Sequence, residues 1–301
     1  MLGAKLGITS ETNNISVLDY YPNATVAYSL RKLTSNYTGS AIKVRESGGD
    51  TEADIGFRSD GSLNELDLLN HCGSNSGYIV EWYDQSGNGT GLRELTDSAT
   101  YQPIIVNSGT IVTSGGNPAI EWTAAGEQDL QNTSLGWGTV TAQTTFQVLT
   151  FSNTSLNSSH AYMRTISVSD ASTSDYLLAN NWIPPHRSNQ TSGLDIYGVT
   201  GADIVSDTID WNNQALLTAI HTGTAISGFN NGTAFATNQG AANVLDCTMV
   251  EMALGMQTNS DVGAGDSHFA GTMQEVIIYN SDKTSDRIAI EINQNNYYNI
   301  Y

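Results

Sequence analysis

Short stretches in which apolar and polar residues alternate recur along the whole chain. They are rich in β-branched and aromatic residues and lie between clusters of Gly, Asn, Asp and Ser. This pattern is typical of half-buried strands joined by tight turns. The clearest predicted strands are Ala41–Arg45, Tyr78–Tyr83, Ile104–Val106, Thr145–Thr150, Leu216–Ile220, Met249–Leu254 and Thr272–Tyr279.

Helical patterns are few. Apolar residues spaced three and four apart predict short helices at Ala27–Leu33 and Leu63–Leu69, and the segment after Asp282 predicts a terminal helix. In that helix Ser285 is the expected cap, and the apolar positions expected on one face are Ile288, Ile292 and Tyr298. Many strands and few short helices predict an all-β protein, a two-sheet antiparallel sandwich.

The composition narrows the range of partners. The 301 residues are 39% hydrophobic and only 14% charged, and 30 acidic residues against 11 basic ones give a net charge of −19. Such a surface repels phosphate groups, so neither nucleic acid nor a membrane is an expected partner. The acidity either keeps the protein soluble or includes a calcium site; calcium is the one cofactor left open, and no metal ligands are predicted.

The chain is expected to form one domain, because no repeat or proline-rich linker divides it. Residues 1–20 are predicted to be an N-terminal arm, either an attachment segment or a frayed terminus, and residues 21–301 the folded domain. The first residues do not resemble a signal peptide, so synthesis in a cytoplasm is expected. Cys72 and Cys247 are either two free buried thiols or one long-range disulfide.

Three stretches resemble a known family. They are Ala27–Leu33 with Tyr37–Arg45 and Asp54–Phe57; Trp82–Gly89; and Phe269–Tyr279. Together they resemble the catalytic domain of the arabinofuranosidase-B family of glycoside hydrolases, and more strongly the lectin-like domains carried by phage and marine bacterial proteins. The resemblance covers about residues 20–301 and implies a concanavalin A-like jelly roll.

The residues of these stretches also have a structural interpretation. The Asp84–Gly89 stretch contains turn-forming side chains and glycines, so a structural turn is favoured over a ligand contact. Arg31 and Arg45 are expected to pair with carboxylates such as Asp54 or Asp84. Large aromatic residues are more often core than sugar platforms, and this applies to Tyr28, Trp82 and Trp122.

Glycoside hydrolysis usually requires two carboxyl groups. The resemblance implies a nucleophilic Glu two residues after an Asp, and a Trp thirteen residues before that Asp. Here Trp182 and Asp195 match the Trp and the Asp, but Tyr197 stands at the position of the nucleophile. The family's acid follows a Leu-Gly pair, and after Leu254-Gly255 that position holds Asn259. Asn cannot donate the proton and Tyr needs a base partner, so no catalytic residue is predicted.

The remaining residues of that site could still hold a sugar. An aromatic ring, a cation and nearby Asp and Asn groups suit sugar binding, with plain loop packing as the alternative. The predicted ligand-binding residues are Trp182, His186, Arg187, Asp195, Tyr197 and Asn259.

The main functional hypothesis is a non-enzymatic, lectin-like virion structural protein: a head decoration, a fibre or a tail adhesion component. Its expected partners are other virion proteins and cell-surface glycans, and by analogy it is a homo-oligomer, a trimer. The first alternative is an active arabinofuranosidase in which Asp203, Asp261 or Asp266 supplies the missing carboxyl group. The second is a secreted bacterial adhesin module, which would require a secretion route.

Overall fold

The strands form two antiparallel arrays that lie face to face, here named the first and the second ladder. The computed structural model describes residues 16–123, 127–152, 163–169, 177–183, 193–197, 202–205, 213–240, 247–256 and 268–301. Within these, 19 strands form one connected sheet and two short pairs lie apart from it. Side chains from both ladders share one core cluster, so the sheet folds over on itself as a sandwich.

The first ladder contains ten strands, each antiparallel to its neighbour. In spatial order they are β3 (Glu52–Ile55), β2 (Ile42–Glu46), β4 (Gly77–Trp82), β5 (Leu92–Arg93), β11 (Leu130–Asn132), β22 (Glu251–Leu254), β14 (Met163–Ser169), β15 (Leu177–Ile183), β16 (Gly193–Tyr197) and β17 (Ala202–Val205).

The second ladder is built around β23, which pairs with β1, β10 and β13. Its members are β7 (Thr110–Ile111), β6 (Ile104–Asn107), β10 (Ile120–Trp122), β23 (Gly271–Tyr279), β1 (Val26–Ser29), β13 (Gln143–Phe151), β18 (Ala215–His221), β19 (Ala225–Asn230) and β20 (Thr233–Gly240). Strand β6 also pairs with β4 and so joins the two ladders.

Two strand pairs and three helices complete the described elements. They are β8 (Thr113–Ser114) with β9 (Asn117–Pro118), β12 (Gly138–Val140) with β21 (Cys247–Met249), and α1 (Val17–Tyr20), α2 (Glu65–Cys72) and α3 (Arg287–Tyr298). The predicted all-β two-sheet sandwich is confirmed, and so are the predicted strands except Met249–Leu254, which is divided at Val250 between β21 and β22. None of the described helices is long and apolar enough to cross a membrane.

The predicted helix at Ala27–Leu33 is wrong. Residues Val26–Ser29 form strand β1, and all four are buried. Ala27 packs in a cluster with Phe146 and Ile290, on the side of the ladder that α3 covers, while Tyr28 belongs to the main core. A strand covered on both faces has no polar alternation, so its apolar pattern resembles that of a buried helix.

The helix predicted near Leu63–Leu69 is confirmed as α2, and the terminal helix is confirmed as α3 with Tyr298 on its buried face, whereas its predicted cap and two of its predicted face positions are wrong. Helix α3 begins after Asp286 rather than at a Ser285 cap. Ile288 and Ile292 are 59% and 52% exposed. The buried face instead carries Ile290, Glu291, Gln294 and Tyr298, because this helix covers polar as well as apolar groups of the second ladder.

A buried ion pair ties α3 to the second ladder. Arg31 donates to both carboxylate oxygens of Glu275, at 2.7 and 2.9 Å. The same carboxylate accepts hydrogen bonds from Ser29 on β1 and from Gln294 on α3. Arg31 also donates to Asn293. The predicted ion pairing is therefore present, but the partner is Glu275 rather than Asp54 or Asp84, and Arg45 likewise pairs elsewhere, with Glu52 and Asp97.

The Asp84–Gly89 stretch is a structural turn, as favoured from the sequence. Asp84 accepts hydrogen bonds from the backbone N–H groups of Ala27 and Ser86, at 2.8 and 2.9 Å. Gln85 bonds three main-chain groups between residues 29 and 33. The turn thus holds the end of β4 against β1 and the chain that follows it.

The predicted core aromatic residues are confirmed. Tyr28, Trp82 and Trp122 are buried, and Trp82 lies 5.9 Å from Tyr28 and 6.5 Å from Trp122 between ring centroids. Cys72 is a buried free thiol, so the disulfide alternative is wrong. In the described part of the predicted arm, α1 buries Val17 and Leu18.

We expect the buried ion pair to stabilise the fold strongly. Glu275→Gln leaves the Arg31 guanidinium buried without its counter-charge and should lower the free energy of unfolding by about 3–5 kcal/mol in urea titrations. Glu65→Gln, which removes the exposed partner of Arg58 3.8 Å away, is the matched control and should cost less than about 1 kcal/mol. Equal losses in the two variants would contradict this assignment.

Candidate active site

Strands β14 to β17 lie side by side at one end of the first ladder, and their register places two carboxyl residues opposite each other. Asp195 on β16 lies opposite Asn181 on β15 and, on its other side, opposite Asp203 on β17. Residues that face each other directly on antiparallel strands have Cβ atoms about 4.5–5.5 Å apart.

The register also locates the other predicted binding residues. Position 197 pairs with position 179, and position 182 pairs with positions 163 and 194. Alternation along a strand puts positions 195 and 197 on one face of the sheet and position 182 on the other. Asp195 and Tyr197 are thus brought to one face. Three predicted binding residues, His186, Arg187 and Asn259, lie outside the described residues, as do Asp261 and Asp266.

Tyr197 ends a row of nine directly paired positions that crosses the first ladder, here named the transverse row. Its members are Asp54, Lys43, Glu81, Arg93, Gln131, Ala253, Ser167, Ala179 and Tyr197. Ala253 and Ser167 are fully buried, so other parts of the protein cover the sheet face there. The row connects the Asp195 strand to a partly exposed polar surface at the opposite side of the ladder.

Charges alternate along the exposed half of the transverse row. Glu81 stands between Lys43 and Arg93, and Asp54 stands beyond Lys43. Partial burial raises the pKa of Glu81, and the two neighbouring cations offset that rise only in part. The opposite charges are therefore placed to compensate one another on neighbouring strands.

Sequence reasoning missed one unusual carboxyl group, Asp129, at the start of β11. It is only 8% exposed, and its Oδ1 atom has no hydrogen-bond partner. Burial raises the pKa of Asp129 to about 7; the charge of Glu94 adds to the rise, and a hydrogen bond from Gln131 opposes it. A carboxyl group that keeps its proton near neutral pH can act as an acid. No motif marks it, because burial in the folded protein is the main cause of the shift.

No metal site emerges from the described part of the chain. No three His, Cys, Asp or Glu side chains are grouped there closely enough to hold an ion. Calcium binding stays the open alternative to a purely solubilising role of the acidic residues.

Solved structures of glycoside hydrolases share this fold. One is a GH54 α-L-arabinofuranosidase soaked with a cyclic sulfate inhibitor, with a TM-score of 0.68 and 14% identity over 93% of this chain. Another is a Glu-to-Gln variant of a GH54 α-L-arabinofuranosidase soaked with 4-nitrophenyl α-L-arabinofuranoside, with a TM-score of 0.67 and 14% identity over the same share. The chain spans 64% of the length of both.

A third structure is an arabinofuranosidase complexed with arabinofuranosyl-α-1,2-xylobiose. It is 15% identical over 93% of this chain and 64% of its own length, with a TM-score of 0.65. No protein-family model matches the sequence, and no curated protein matches it. The fold is therefore that of the β-sandwich found in these arabinofuranosidases.

These comparisons overturn the prediction of a non-enzymatic virion structural protein. The structures matched over 93% of the chain are those of enzymes, and they favour the alternative of a glycoside hydrolase. The prediction rested on Tyr197 and Asn259, at positions set by spacing alone, and gave too little weight to the alternative carboxyl groups, of which Asp203 lies opposite Asp195. A virion location, virion proteins and glycans as partners, and a trimeric state stay predictions.

We expect Asp129 to make stability depend on pH. Its folded-state pKa of about 7 exceeds the ordinary value of about 3.9. The contribution of Asp129 to the free energy of unfolding is therefore complete below pH 4 and is lost as the pH rises to 7. Relative to wild type, Asp129→Asn should therefore gain about 4 kcal/mol of unfolding free energy between pH 4 and pH 8. Urea titrations at both pH values measure this gain.

The matched control for Asp129 is Asp50→Asn, in an exposed turn whose left-handed backbone Asn tolerates. It should keep the wild-type difference between the two pH values. A constant offset between Asp129→Asn and wild type at both pH values would show that the Asp129 carboxyl group has an ordinary pKa.

Proposed function

We propose that the chain is a glycoside hydrolase that releases α-L-arabinofuranosyl groups, with Asp195 and Asp203 as its two carboxyl groups. The observation that carries the proposal is the direct pairing of Asp195 with Asp203. It occurs on the strand that the sequence resemblance assigns to the nucleophile, within a fold shared with arabinofuranosidases over 93% of the chain.

The pairing suits two-carboxyl chemistry. Retaining glycosidases have carboxyl groups about 5–5.5 Å apart, whereas inverting enzymes leave about 6.5–9.5 Å for a water molecule. Direct cross-strand neighbours have Cβ atoms about 4.5–5.5 Å apart, so two carboxyl groups at paired positions are within reach of the shorter spacing. The reaction requires one of the two as a carboxylate and the other as a carboxylic acid.

The reaction then proceeds in two displacements. The carboxylate attacks the anomeric carbon and forms a glycosyl ester, while the carboxylic acid protonates the departing glycosidic oxygen. The second carboxyl group, now ionised, takes a proton from water as that water attacks the anomeric carbon. This releases arabinose and returns the proton to the second carboxyl group. Position 197 lies two residues from Asp195 and therefore on the same face of the sheet.

Hydrolysis of 4-nitrophenyl α-L-arabinofuranoside tests the proposal. The wild type should release nitrophenol, and Asp195→Asn and Asp203→Asn should each lower kcat/KM by about 10²–10⁴-fold, the usual contribution of an acid–base group. Asp50→Asn, the exposed turn control, should retain wild-type activity. No hydrolysis by the wild type, or full activity in Asp203→Asn at unchanged thermal stability, would refute the assignment.

The stereochemical outcome is a second expectation. The proposed two-displacement mechanism predicts that the first sugar released keeps the α configuration at its anomeric carbon. Proton NMR recorded in the first minutes of hydrolysis, before mutarotation, distinguishes the two anomers. Release of the β anomer would show that a water molecule fits between the catalytic groups and that Asp195 and Asp203 are not the couple.

A further inference from the structure

The exposed half of the transverse row adjoins a cluster of aromatic rings. We name these residues together the platform: Asp54, Lys43, Glu81, Arg93, Tyr37, Phe57 and Tyr83. All of them are exposed or partly exposed. The proposed reaction at Asp195 and Asp203 uses none of them.

The aromatic rings of the platform are held in fixed positions. The Tyr83 hydroxyl donates to Asp54 at 2.7 Å, and the Tyr37 hydroxyl donates to the carbonyl of Ser40 at 2.9 Å. The Tyr37 and Phe57 rings meet edge to face, 6.2 Å between centroids. Because the hydroxyl groups are already bonded, the partly exposed ring surfaces are what these residues offer to a ligand. Rings fixed before binding lose little conformational entropy on binding.

Room for Glu81 on the platform depends on a glycine. A Cβ atom at Gly91 would lie 2.2 Å from Glu81 Oε1, so the carboxylate would have to turn away from this strand end if a larger residue replaced the glycine. The carbonyl of Gly91 accepts a hydrogen bond from Asn132, which keeps the strand in place. Carboxylate oxygens beside ring surfaces are groups that bind sugar hydroxyls.

The charge of the platform selects the class of ligand. Thirty acidic residues face eleven basic ones in the chain as a whole, whereas the platform has two of each. The opposite charges alternate on adjacent strands, so the surface is locally neutral on a strongly acidic protein. A neutral, hydroxyl-rich polymer is compatible with such a surface, while an anionic polymer is repelled by the rest of the protein.

We propose that the platform binds the main chain of a neutral polysaccharide, at a distance from the bond that is cut. The inference rests on the proposed function, since it identifies the substrate as a branched polymer. Glu81 lies six strand spacings from Tyr197 along the transverse row, or about 29 Å. Ala253 and Ser167 are buried between the two, so the platform is a separate binding surface rather than part of the cleavage pocket.

Affinity electrophoresis tests this binding independently of hydrolysis. The probe is a soluble neutral xylan with arabinofuranosyl branches, cast into native gels at rising concentration. It should retard the wild type, whereas Tyr83→Ala should raise the apparent Kd about five- to tenfold. Tyr20→Ala, which removes an aromatic ring that is 65% exposed on α1, is the matched control and should behave as wild type. Anionic polygalacturonate should retard none of the proteins.

Kinetics separate this proposal from that of the catalytic function. Tyr83→Ala should raise KM for the branched xylan and leave KM for 4-nitrophenyl α-L-arabinofuranoside unchanged. If Tyr83→Ala has a lowered Tm, the exposed Arg93→Ala replaces it in both assays. Retardation that depends on Tyr83 without any arabinofuranosidase activity would refute the catalytic proposal but support polysaccharide binding by the platform. Wild-type mobility in both variants, or retardation by the anionic polymer alone, would refute polysaccharide binding by the platform.

Discussion

The register of the antiparallel strands is the constraint on which both proposed sites depend. Leu130 and Ile166 flank Leu254 across three strands, and all three side chains are in the core. A slip of one residue would move every side chain of a strand to the other face, so core packing fixes the register. Once it is fixed, the polar positions of the same strands have no freedom either: Ile42, Trp82 and Leu92 lie in the core, so the alternating charges fall in line. The pairing of Asp195 with Asp203 depends on the register of its own two strands.

The second ladder serves a different purpose, because both of its faces are covered. The main core lies on one side, and α1 and α3 lie on the other. Polar groups buried under α3 are satisfied by the Arg31–Glu275 pair and its hydrogen bonds, so a charged group can remain inside the protein. This ladder is covered on both faces, whereas the first ladder carries the partly exposed platform at one end.

The sequence predicts strands well where one face is polar, since alternation then marks each strand, as at Ile42–Glu46. It fails at Val26–Ser29, where both faces are buried and alternation disappears. It also cannot pair residues across the fold: Arg31 and Glu275 are 244 positions apart. Similarly, Asp195 and Asp203 become partners only through the register of two antiparallel strands. The raised pKa of Asp129 arises from its burial in the folded protein, which no local sequence pattern predicts.

The position of β23 in the second ladder has a consequence for biosynthesis. This strand, Gly271–Tyr279, lies near the end of the sequence. Its partners β1, β10 and β13 all precede residue 152. Until the ribosome has released that segment, the edges of β1 and β13 remain without their partner. Contacts of such long range form slowly, and open strand edges associate with other chains. Newly made protein should therefore depend on chaperones or low concentration until its last strand is inserted.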